Sequence, residues 1–283
     1  MKFNLQRNLR PMRNKRLKIR IFPVILLLLG YLLFEPYWIE EKVTVFVDED
    51  IPASFNNTKI VFISDIHHGP FFSRSRVERL VKRINRMNPD LILLGGDYVH
   101  RDSKYIEPFF EEAKKFKARL GVFGVLGNHD HWEGASLTQR WMREAGIKVL
   151  DNTAYWIEQD GVRIKLGGIG DYFVDHYTVK PTIKDVTVDD FVILVSHNPD
   201  FAEELDTDKI DLMLSGHTHG GQVTLFGWWA PIIPSRHGQK YRTGLVATPN
   251  TKVLISNGIG TVTPPVRFFA RPQINIIVLQ NKG

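Results

Sequence analysis

Short apolar runs that each end in a cluster of polar side chains limit the folds available to this chain more than any other feature. The runs at 59–64, 91–94 and 122–126 predict buried strands, and the segments 74–87 and 105–118 between them have helical periodicity. Alternating strands and helices favour a parallel α/β sheet. Because such sheets carry their binding sites at the carboxyl ends of the strands, the same pattern predicts where a site would lie.

Further strands are predicted before and after this alternating segment of strands and helices. Apolar runs at 191–195 and 211–214 also end in polar residues, and the segments 252–255 and 274–279 predict two strands near the end of the chain. A run at 43–47 predicts a strand before all of these. Since there is no internal repeat or interdomain linker, we expect one domain of two sheets packed face to face with helices outside, a four-layer α/β/β/α sandwich.

Five polar clusters lie at the ends of the apolar runs. In chain order they are Asp65-Ile66-His67, Gly96-Asp97, Gly127-Asn128-His129-Asp130, Ser196-His197-Asn198 and Gly216-His217-Thr218-His219. A single Asp after a strand is often a helix cap, but five clusters in the same position share one explanation. They offer oxygen and nitrogen donors for two metal ions, and the chain has no cysteine. Two adjacent divalent ions without thiolate ligands indicate hydrolysis of a phosphate ester or anhydride.

From about residue 59 to its end, the chain resembles the calcineurin-like metallophosphoesterase family. The pattern of that family is Asp-x-His, Gly-Asp, Gly-Asn-His-Asp/Glu, a later His and Gly-His-x-His, and all of these motifs are present here in order. The resemblance implies the four-layer sandwich of the family and the activity of a metal-dependent phosphoric ester or anhydride hydrolase.

The resemblance also implies two metal sites. The ligands of the first ion would be Asp65, His67, Asp97 and His219. The ligands of the second ion would be Asp97, Asn128, His197 and His217. Asp97 would bridge the two ions, because one carboxylate offers two oxygens. Mixed oxygen and nitrogen ligands suit Mn²⁺, Zn²⁺ or iron, and Mn²⁺ is the expected ion.

Two residues of the third cluster are expected to act in catalysis without binding metal. His129 would face the phosphate or protonate the leaving oxygen, and Asp130 would orient the His129 imidazole. Two ions that clamp the phosphoryl oxygens and activate a water molecule account for the rest of the expected chemistry.

Substrate contacts are expected from five further residues: His68, His131, Arg236, His237 and Arg242. The cations among them could bind a phosphate or pyrophosphate group, while a solvated run of charge is the alternative. The stretch from Phe226 to Pro234 is aromatic and apolar. It could contact lipid or receive an acyl chain, or it could pack under the end of the chain.

Within the family, the chain is similar to a bacterial branch of membrane-anchored or exported phosphoesterases. The segments that carry this likeness are 215–222, 236–244, 258–260 and 267–272. This branch is similar to phospholipid-acting phosphodiesterases and to a divergent UDP-2,3-diacylglucosamine pyrophosphatase. The likeness therefore implies a phosphodiester or pyrophosphate bond in a lipid-linked substrate.

Charge is concentrated at the start of the chain. Residues 1–20 contain eight basic residues and no acidic residue, and removing these eight from 37 leaves 29 basic against 31 acidic residues. The remainder is therefore nearly neutral, and no nucleic-acid partner is expected.

An uncharged run of 14 residues, Ile21 to Phe34, follows the basic stretch and precedes Tyr37 and Trp38, which are typical of a membrane interface. We predict a single membrane anchor at 21–39. A cleaved signal peptide and a segment that lies on the membrane surface remain alternatives, because the run is shorter than the ~20 residues of a comfortable span.

The predicted domains are a basic cytoplasmic head at 1–20, the anchor at 21–39 and the metallophosphoesterase domain at 40–283. If the anchor spans the bacterial inner membrane, the positive-inside rule exports the domain; otherwise the domain stays at the cytoplasmic face. The expected partners are the membrane lipid surface and the phosphate-containing substrate. No protein partner is predicted.

Two other functions remain open at this point. A metal-dependent nuclease is one, since related folds cut DNA, although the near-neutral remainder of the chain disfavours it. A non-catalytic scaffold is the other, although the complete set of ligands disfavours it.

Overall fold

The computed structural model describes the backbone of residues 13–283 and the side chains from residue 22 onward. The helices are α1 (Arg13–Phe34), α2 (Arg74–Arg86), α3 (Ile106–Ala113), α4 (Asn128–Glu144) and α5 (Lys180–Ile183). The strands are β1 (Glu40–Asp48), β2 (Lys59–Ile63), β3 (Leu91–Leu94), β4 (Val122–Gly124), β5 (Lys148–Val149), β6 (Thr153–Gln159), β7 (Val162–Gly168), β8 (Val192–Val195), β9 (Leu212–Ser215), β10 (Gly244–Ala247), β11 (Lys252–Ile255) and β12 (Gln273–Asn281).

The strands form two six-stranded sheets, in the orders β1-β12-β2-β3-β4-β5 and β10-β11-β9-β8-β7-β6. The neighbours β2, β3, β4 and β5 are parallel to one another. The neighbours β7, β8, β9 and β11 are parallel as well. Each sheet therefore brings the carboxyl ends of its central strands to one edge, where the loops that follow them meet.

Both faces of the central strands are buried. In β3, Leu91 and Leu93 pack between the two sheets, while Ile92 and Leu94 pack under the helices on the outer face. This explains why the strands read as continuous apolar runs and not as alternating ones. A third apolar cluster covers the outer face of the second sheet under α5 and short 3-10 helices. The predicted four-layer α/β/β/α sandwich is confirmed.

The third polar cluster lies on a helix. The sequence alone predicts a helix only near 136–145, but α4 begins at Asn128 and includes an irregular Gly134 with φ +135°. It begins early because the Asp130 carboxylate accepts a hydrogen bond from Gly127 N at 3.0 Å, which caps the first turn.

The predicted anchor corresponds in part to α1, which begins within the basic head and ends at Phe34, before a 3-10 turn at Glu35–Tyr37. Within residues 13–283, no helix combines the length and the apolar character that crossing a membrane requires. The anchor at 21–39 is therefore not confirmed, and residues 1–12 of the predicted head lie outside the described part of the chain.

The end of α1 is fixed to the last part of the chain. The buried Glu35 carboxylate accepts hydrogen bonds from Phe269 N at 2.7 Å and Ala270 N at 2.6 Å. Leu32 O accepts a hydrogen bond from Arg267 N at 3.2 Å. These bonds fix where α1 leaves the domain.

At the opposite end of the sandwich, Asp211 provides a test of stability against pH. Burial, together with the nearby charges of Asp48 and Asp50, raises the pKa of Asp211 to about 7, against the opposing effect of the hydrogen bond from Val192 N. Between pH ~4 and ~7 the folded state thus retains a proton that the unfolded state has released, so stability falls as pH rises through this window.

The Asp211→Asn variant is expected to be more stable than the parent at pH 8. Its amide oxygen can still accept the Val192 N–H, while the buried charge is gone. Each ~1 kcal/mol added to the free energy of unfolding would raise the melting temperature by about 2–4 °C in a domain of this size. Thermal unfolding at pH 8 and pH 5, with Asp206→Asn at an exposed site as control, tests this. An equal gain at both pH values would contradict it.

Candidate metal centre

All seven predicted ligands lie at the edge where the carboxyl ends of the strands meet, and all are buried. Five of them have left-handed backbone conformations, with φ between 49° and 68°: Asp65, His67, Asp97, His217 and His219. Such conformations cost about 1–3 kcal/mol each outside glycine and are concentrated at functional sites. The sharp turns direct these side chains toward one another.

The ligands predicted for the first ion converge. His67 Nε2 lies 3.0 Å from His219 Nε2 and 3.6 Å from Asp97 Oδ2. Asp65 Oδ1 lies 3.5 Å from His219 Nε2. Donor atoms of Asp65, His67 and His219 are all within 4.8 Å of one another, a spacing that fits a single cation.

The ligands predicted for the second ion lie on the other side of Asp97. His197 Nε2 is 3.4 Å from Asp97 Oδ2 and 3.2 Å from His217 Nδ1. Asn128 Oδ1 is buried and has no hydrogen-bond partner among the described residues. A buried oxygen without a partner is costly unless a ligand satisfies it, so the donor set fits a second cation. Asp97 Oδ2 faces both groups, as a bridging carboxylate does.

Burial and mutual charge set the protonation of the centre. Burial lowers the pKa of His67 and His219 well below the usual value and that of His217 to about 3, so these imidazoles are neutral, the form that binds metal. Burial acts against ionisation of Asp97 as well, but the neighbouring His197 charge holds the pKa of Asp97 well below its usual value. Burial acts against the charge of His197 too, but Asp97 raises the pKa of His197 well above its usual value. The centre thus pairs the Asp97 anion with a His197 cation and adds three neutral imidazoles, those of His67, His217 and His219.

Asp130 does not orient His129, contrary to the sequence-based expectation. Its Oδ2 accepts hydrogen bonds from Asp97 N at 2.7 Å and Gly127 N at 3.0 Å, and its Oδ1 accepts one from Tyr98 N at 2.9 Å. Both oxygens are therefore occupied by backbone donors. Asp130 holds the Asp97 loop against the start of α4, so its effect on the centre passes through Asp97.

His129 contacts His100, a histidine outside the five predicted clusters. Its Nδ1 lies 3.3 Å from His100 Nδ1, and its backbone N–H donates to Asp97 Oδ1 at 2.9 Å. Burial lowers the pKa of His100 to about 4, so His100 is neutral. The signal in the sequence was weak, because His100 follows Asp97 by three positions and belongs to no cluster.

The five predicted substrate contacts lie at different places. His131 lies on the same helix turn as His129, and its Nε2 is 3.8 Å from Asp175 Oδ2. The Arg236 guanidinium is 5.8 Å from the ring of Phe173, which in turn lies 5.3 Å from the ring of His217. Neither distance joins these two residues directly to a predicted metal ligand, so their contact with substrate stays a prediction.

The other three have side chains engaged elsewhere. His68 is buried and its Nδ1 lies 2.7 Å from Phe72 O. His237 packs 5.8 Å from the ring of Tyr241. Arg242 donates to Gly227 O at 2.7 Å. Their contact with substrate stays a prediction.

Arg267 connects the centre to α1. Its side chain is fully buried and donates to His219 O at 3.2 Å and to Ala270 O at 2.7 Å. Ala270 N is also a donor to Glu35, the residue that follows α1. The loop that carries the last two histidines is thus joined to the end of α1 through one buried side chain.

Two facing sheets with paired imidazole and carboxylate groups at one edge define a metal-dependent phosphoester hydrolase. The chain belongs to the calcineurin-like phosphoesterase family, whose sequence profile matches residues 58–221 and so includes all seven predicted ligands. The family match and the phosphodiesterase relative described next support a metal-dependent phosphoester hydrolase.

Several relatives are similar over most of the chain. An uncharacterized metallophosphoesterase of Bacillus subtilis, YkuE, is 30% identical over 251 residues, which cover 87% of each chain. The phosphodiesterase YaeI of Escherichia coli is 31% identical over 258 residues, which cover 88% of this chain and 92% of YaeI. A transmembrane protein with a metallophosphoesterase domain from Danio rerio is 30% identical over 247 residues, which cover 82% of this chain and 55% of that protein.

Among solved structures, the NAD nucleotidase of Haemophilus influenzae matches 71% of this chain with a TM-score of 0.46 and 17% identity. The match spans 45% of that nucleotidase, so this chain corresponds to about half of its length.

Proposed function

We propose that this protein is a dinuclear metal-dependent hydrolase that cleaves a phosphodiester or pyrophosphate bond in a lipid-linked substrate, such as a phospholipid or UDP-2,3-diacylglucosamine. The observation that carries the proposal is the short connection from the metal centre to an exposed apolar surface. Arg267 bonds to His219 O on one side and, through Ala270, to the end of α1 on the other.

That apolar surface has two parts. The exposed large apolar side chains described in α1 are Phe22, Val24, Ile25, Leu26, Leu27, Leu28, Leu29, Leu33 and Phe34. The second part, called here the aromatic loop, is residues 225–232, in which Trp228 is 87% exposed and Ile232 77% exposed. The two parts meet where Phe269 packs against both Tyr31 and Phe226, at 5.3 Å between ring centres in each case. A continuous apolar surface of this kind is typical of proteins that bind lipid.

The proposed ligands are those named from the sequence, with Asp97 between the two ions and Mn²⁺ as the expected metal. When bound, the ions supply Lewis acidity and lower the pKa of water. Mixed carboxylate, amide and imidazole donors also suit Zn²⁺ or iron.

His129 is the proposed proton donor to the leaving oxygen. If protonated His129 donates from Nδ1 to His100 Nδ1 across their 3.3 Å separation, its second proton is on Nε2, and giving that proton to the leaving oxygen leaves a neutral imidazole. Trp132 packs on His129 at 4.7 Å between ring centres and limits the positions of the imidazole. His100 would therefore act as a positioning residue for His129.

The lipid-linked substrate is tested by comparing a soluble diester with a vesicle-borne one. The double variant Trp228→Ser, Ile232→Ser is expected to lose about a hundredfold in its rate on phospholipid vesicles relative to its rate on bis(p-nitrophenyl) phosphate, because each of the two side chains loses ~1.5 kcal/mol or more of apolar burial. The ratio of the two initial rates is the measurement. Val188→Ser, which removes an exposed apolar side chain far from the aromatic loop, is the matched control.

Equal losses on both substrates would show that the aromatic loop acts on the fold or the metal centre and not on lipid. No turnover of vesicle-borne or micellar phosphodiesters, with full turnover of the soluble diester, would reject the lipid-linked substrate while leaving the hydrolase intact.

A further inference from the structure

The exposed face of α2 has an excess of positive charge that the rest of the domain does not share. Its 13 residues include six cations and a single acid: Arg74, Arg76, Arg79, Lys82, Arg83, Arg86 and Glu78. Beyond residue 20, the chain as a whole has 29 basic and 31 acidic residues. The apolar face of α2 is buried against the first sheet, so all of this charge is directed outward.

Only half of these cations have a carboxylate partner. Arg74 pairs with Glu112 at 2.8 Å, Lys82 with Glu78 at 2.5 Å and Arg83 with Glu41 at 2.7 Å. Within the part of the chain whose side chains are described, no carboxylate lies within 4.0 Å of Arg76, Arg79 or Arg86. Three guanidinium groups on one helix are thus available to an external anion.

Arg76 is held in place before any anion binds. It donates to Phe71 O at 3.0 Å and Pro36 O at 2.8 Å, and its guanidinium lies 4.4 Å from the Tyr37 ring centre and 4.1 Å from that of Phe72. Burial lowers the pKa of Arg76 to about 10. A partly desolvated cation without a counter-charge gains most from an approaching anion.

The unpaired cations line a groove of about 500 Å³ between α2 and the segment that connects α1 to β1. Tyr37 and Ile39 line the groove from the segment that follows α1, and Arg79, Arg83 and Arg86 line it from α2. Tyr37 follows Phe34, the last residue of α1, by three positions, so the groove lies next to the end of α1, where Leu33 and Phe34 are exposed. Basic groups beside an apolar surface are the arrangement that binds anionic lipid.

We propose that this groove, defined by Tyr37, Arg76, Arg79, Lys82, Arg83 and Arg86, is a docking site for the headgroups of anionic phospholipids. The guanidinium groups bind lipid phosphates while the side chains of α1 contact the acyl region. An acidic protein partner fits less well, because it would leave the adjacent apolar surface of α1 and the aromatic loop uncovered. The inference rests on the proposed action at a lipid surface, but it concerns attachment and not the reaction at the metal centre.

The test is vesicle binding by the full-length chain without substrate. Arg79→Gln combined with Arg86→Gln is expected to weaken binding to vesicles of equal phosphatidylcholine and phosphatidylglycerol by about 30-fold, since each basic group near such a surface contributes roughly a fivefold effect. The matched control is Lys180→Gln combined with Lys184→Gln, which removes the same charge from an exposed helix on the other sheet. The basic head is present in both variants, so its contribution cancels.

The control double variant is expected to lose no more than about twofold in vesicle binding. The losses of both double variants should become smaller as the salt concentration is raised. Equal losses by the two double variants would overturn the docking site in favour of general electrostatic attraction. Displacement of the protein from vesicles by inorganic phosphate at millimolar concentration would also overturn it, since the groove would then be a site for free phosphate. Unchanged melting temperatures exclude misfolding as the cause. Vesicle binding that persists while lipid-linked substrates are not cleaved would reject the proposed function alone.

Discussion

Replacing Asp97 by asparagine is expected to slow the hydrolysis of bis(p-nitrophenyl) phosphate by about a thousandfold in the presence of Mn²⁺, because the loss of several kcal/mol of electrostatic stabilisation changes the rate by that factor. Asp97 Oδ2 lies within 3.6 Å of His67 Nε2 and 3.4 Å of His197 Nε2, so one carboxylate serves both groups of ligands. An asparagine at this position loses the negative charge and one of the two acceptor oxygens.

The measurement should pair reaction rates with the number of Mn²⁺ ions bound, determined by calorimetry on metal-free protein. We expect fewer than two ions on Asp97→Asn and two ions with a normal rate on Asp206→Asn, an exposed control. Two tightly bound ions and a normal rate on Asp97→Asn would show that the centre lies elsewhere. A melting temperature measured without metal separates loss of the centre from loss of the fold.

The ligand clusters could be recognised from the sequence because their geometry follows from local rules. Each lies just after an apolar run long enough to be a buried strand, and parallel strands bring their carboxyl ends together. Asp65 after β2 and Asp97 after β3 needed no knowledge of distant contacts, because β2 and β3 are neighbours in one sheet. The order of the five motifs along the chain then indicated the family.

Residues whose roles depend on distant contacts could not be recognised in this way. Arg267 reaches His219 across 48 positions of the chain, and His100 reaches His129 across 29. Strand β1 pairs in parallel with β12, the last strand, which no periodicity predicts. Loop closure over such separations is decided by packing, which a single sequence does not show.

Asp130 illustrates the same limit within one motif. Its position beside His129 suggested that it orients the imidazole, but the fold brings Asp97 N and Tyr98 N within hydrogen-bond distance of its two oxygens. Neighbours in sequence on the first turn of a helix point in different directions, so adjacency did not predict contact. The two roles lead to different results when Asp130 is removed.

The Asp130→Ala variant is expected to bind Mn²⁺ about 10–100-fold more weakly, as is typical when groups that orient metal ligands are lost. It should also be less stable by about 3 kcal/mol or more, because three buried backbone N–H groups lose their acceptor. Saturating Mn²⁺ should restore most of kcat, since His129 keeps its contacts with His100 and Trp132. Asp130→Asn retains one acceptor oxygen, so its Mn²⁺ affinity and stability should lie between those of Asp130→Ala and those of the parent protein.

Asp90→Ala is the matched control, because Asp90 Oδ2 likewise accepts a backbone N–H, that of Lys59 at 2.9 Å, but at the start of β2 and away from the centre. It should lower the melting temperature without weakening Mn²⁺ binding. If Asp130 instead acted on His129, its removal would shift the pH dependence of kcat and leave Mn²⁺ affinity unchanged. Calorimetric Mn²⁺ binding and a pH–rate profile on the same preparations therefore distinguish a residue that holds the Asp97 loop from one that orients the proton donor.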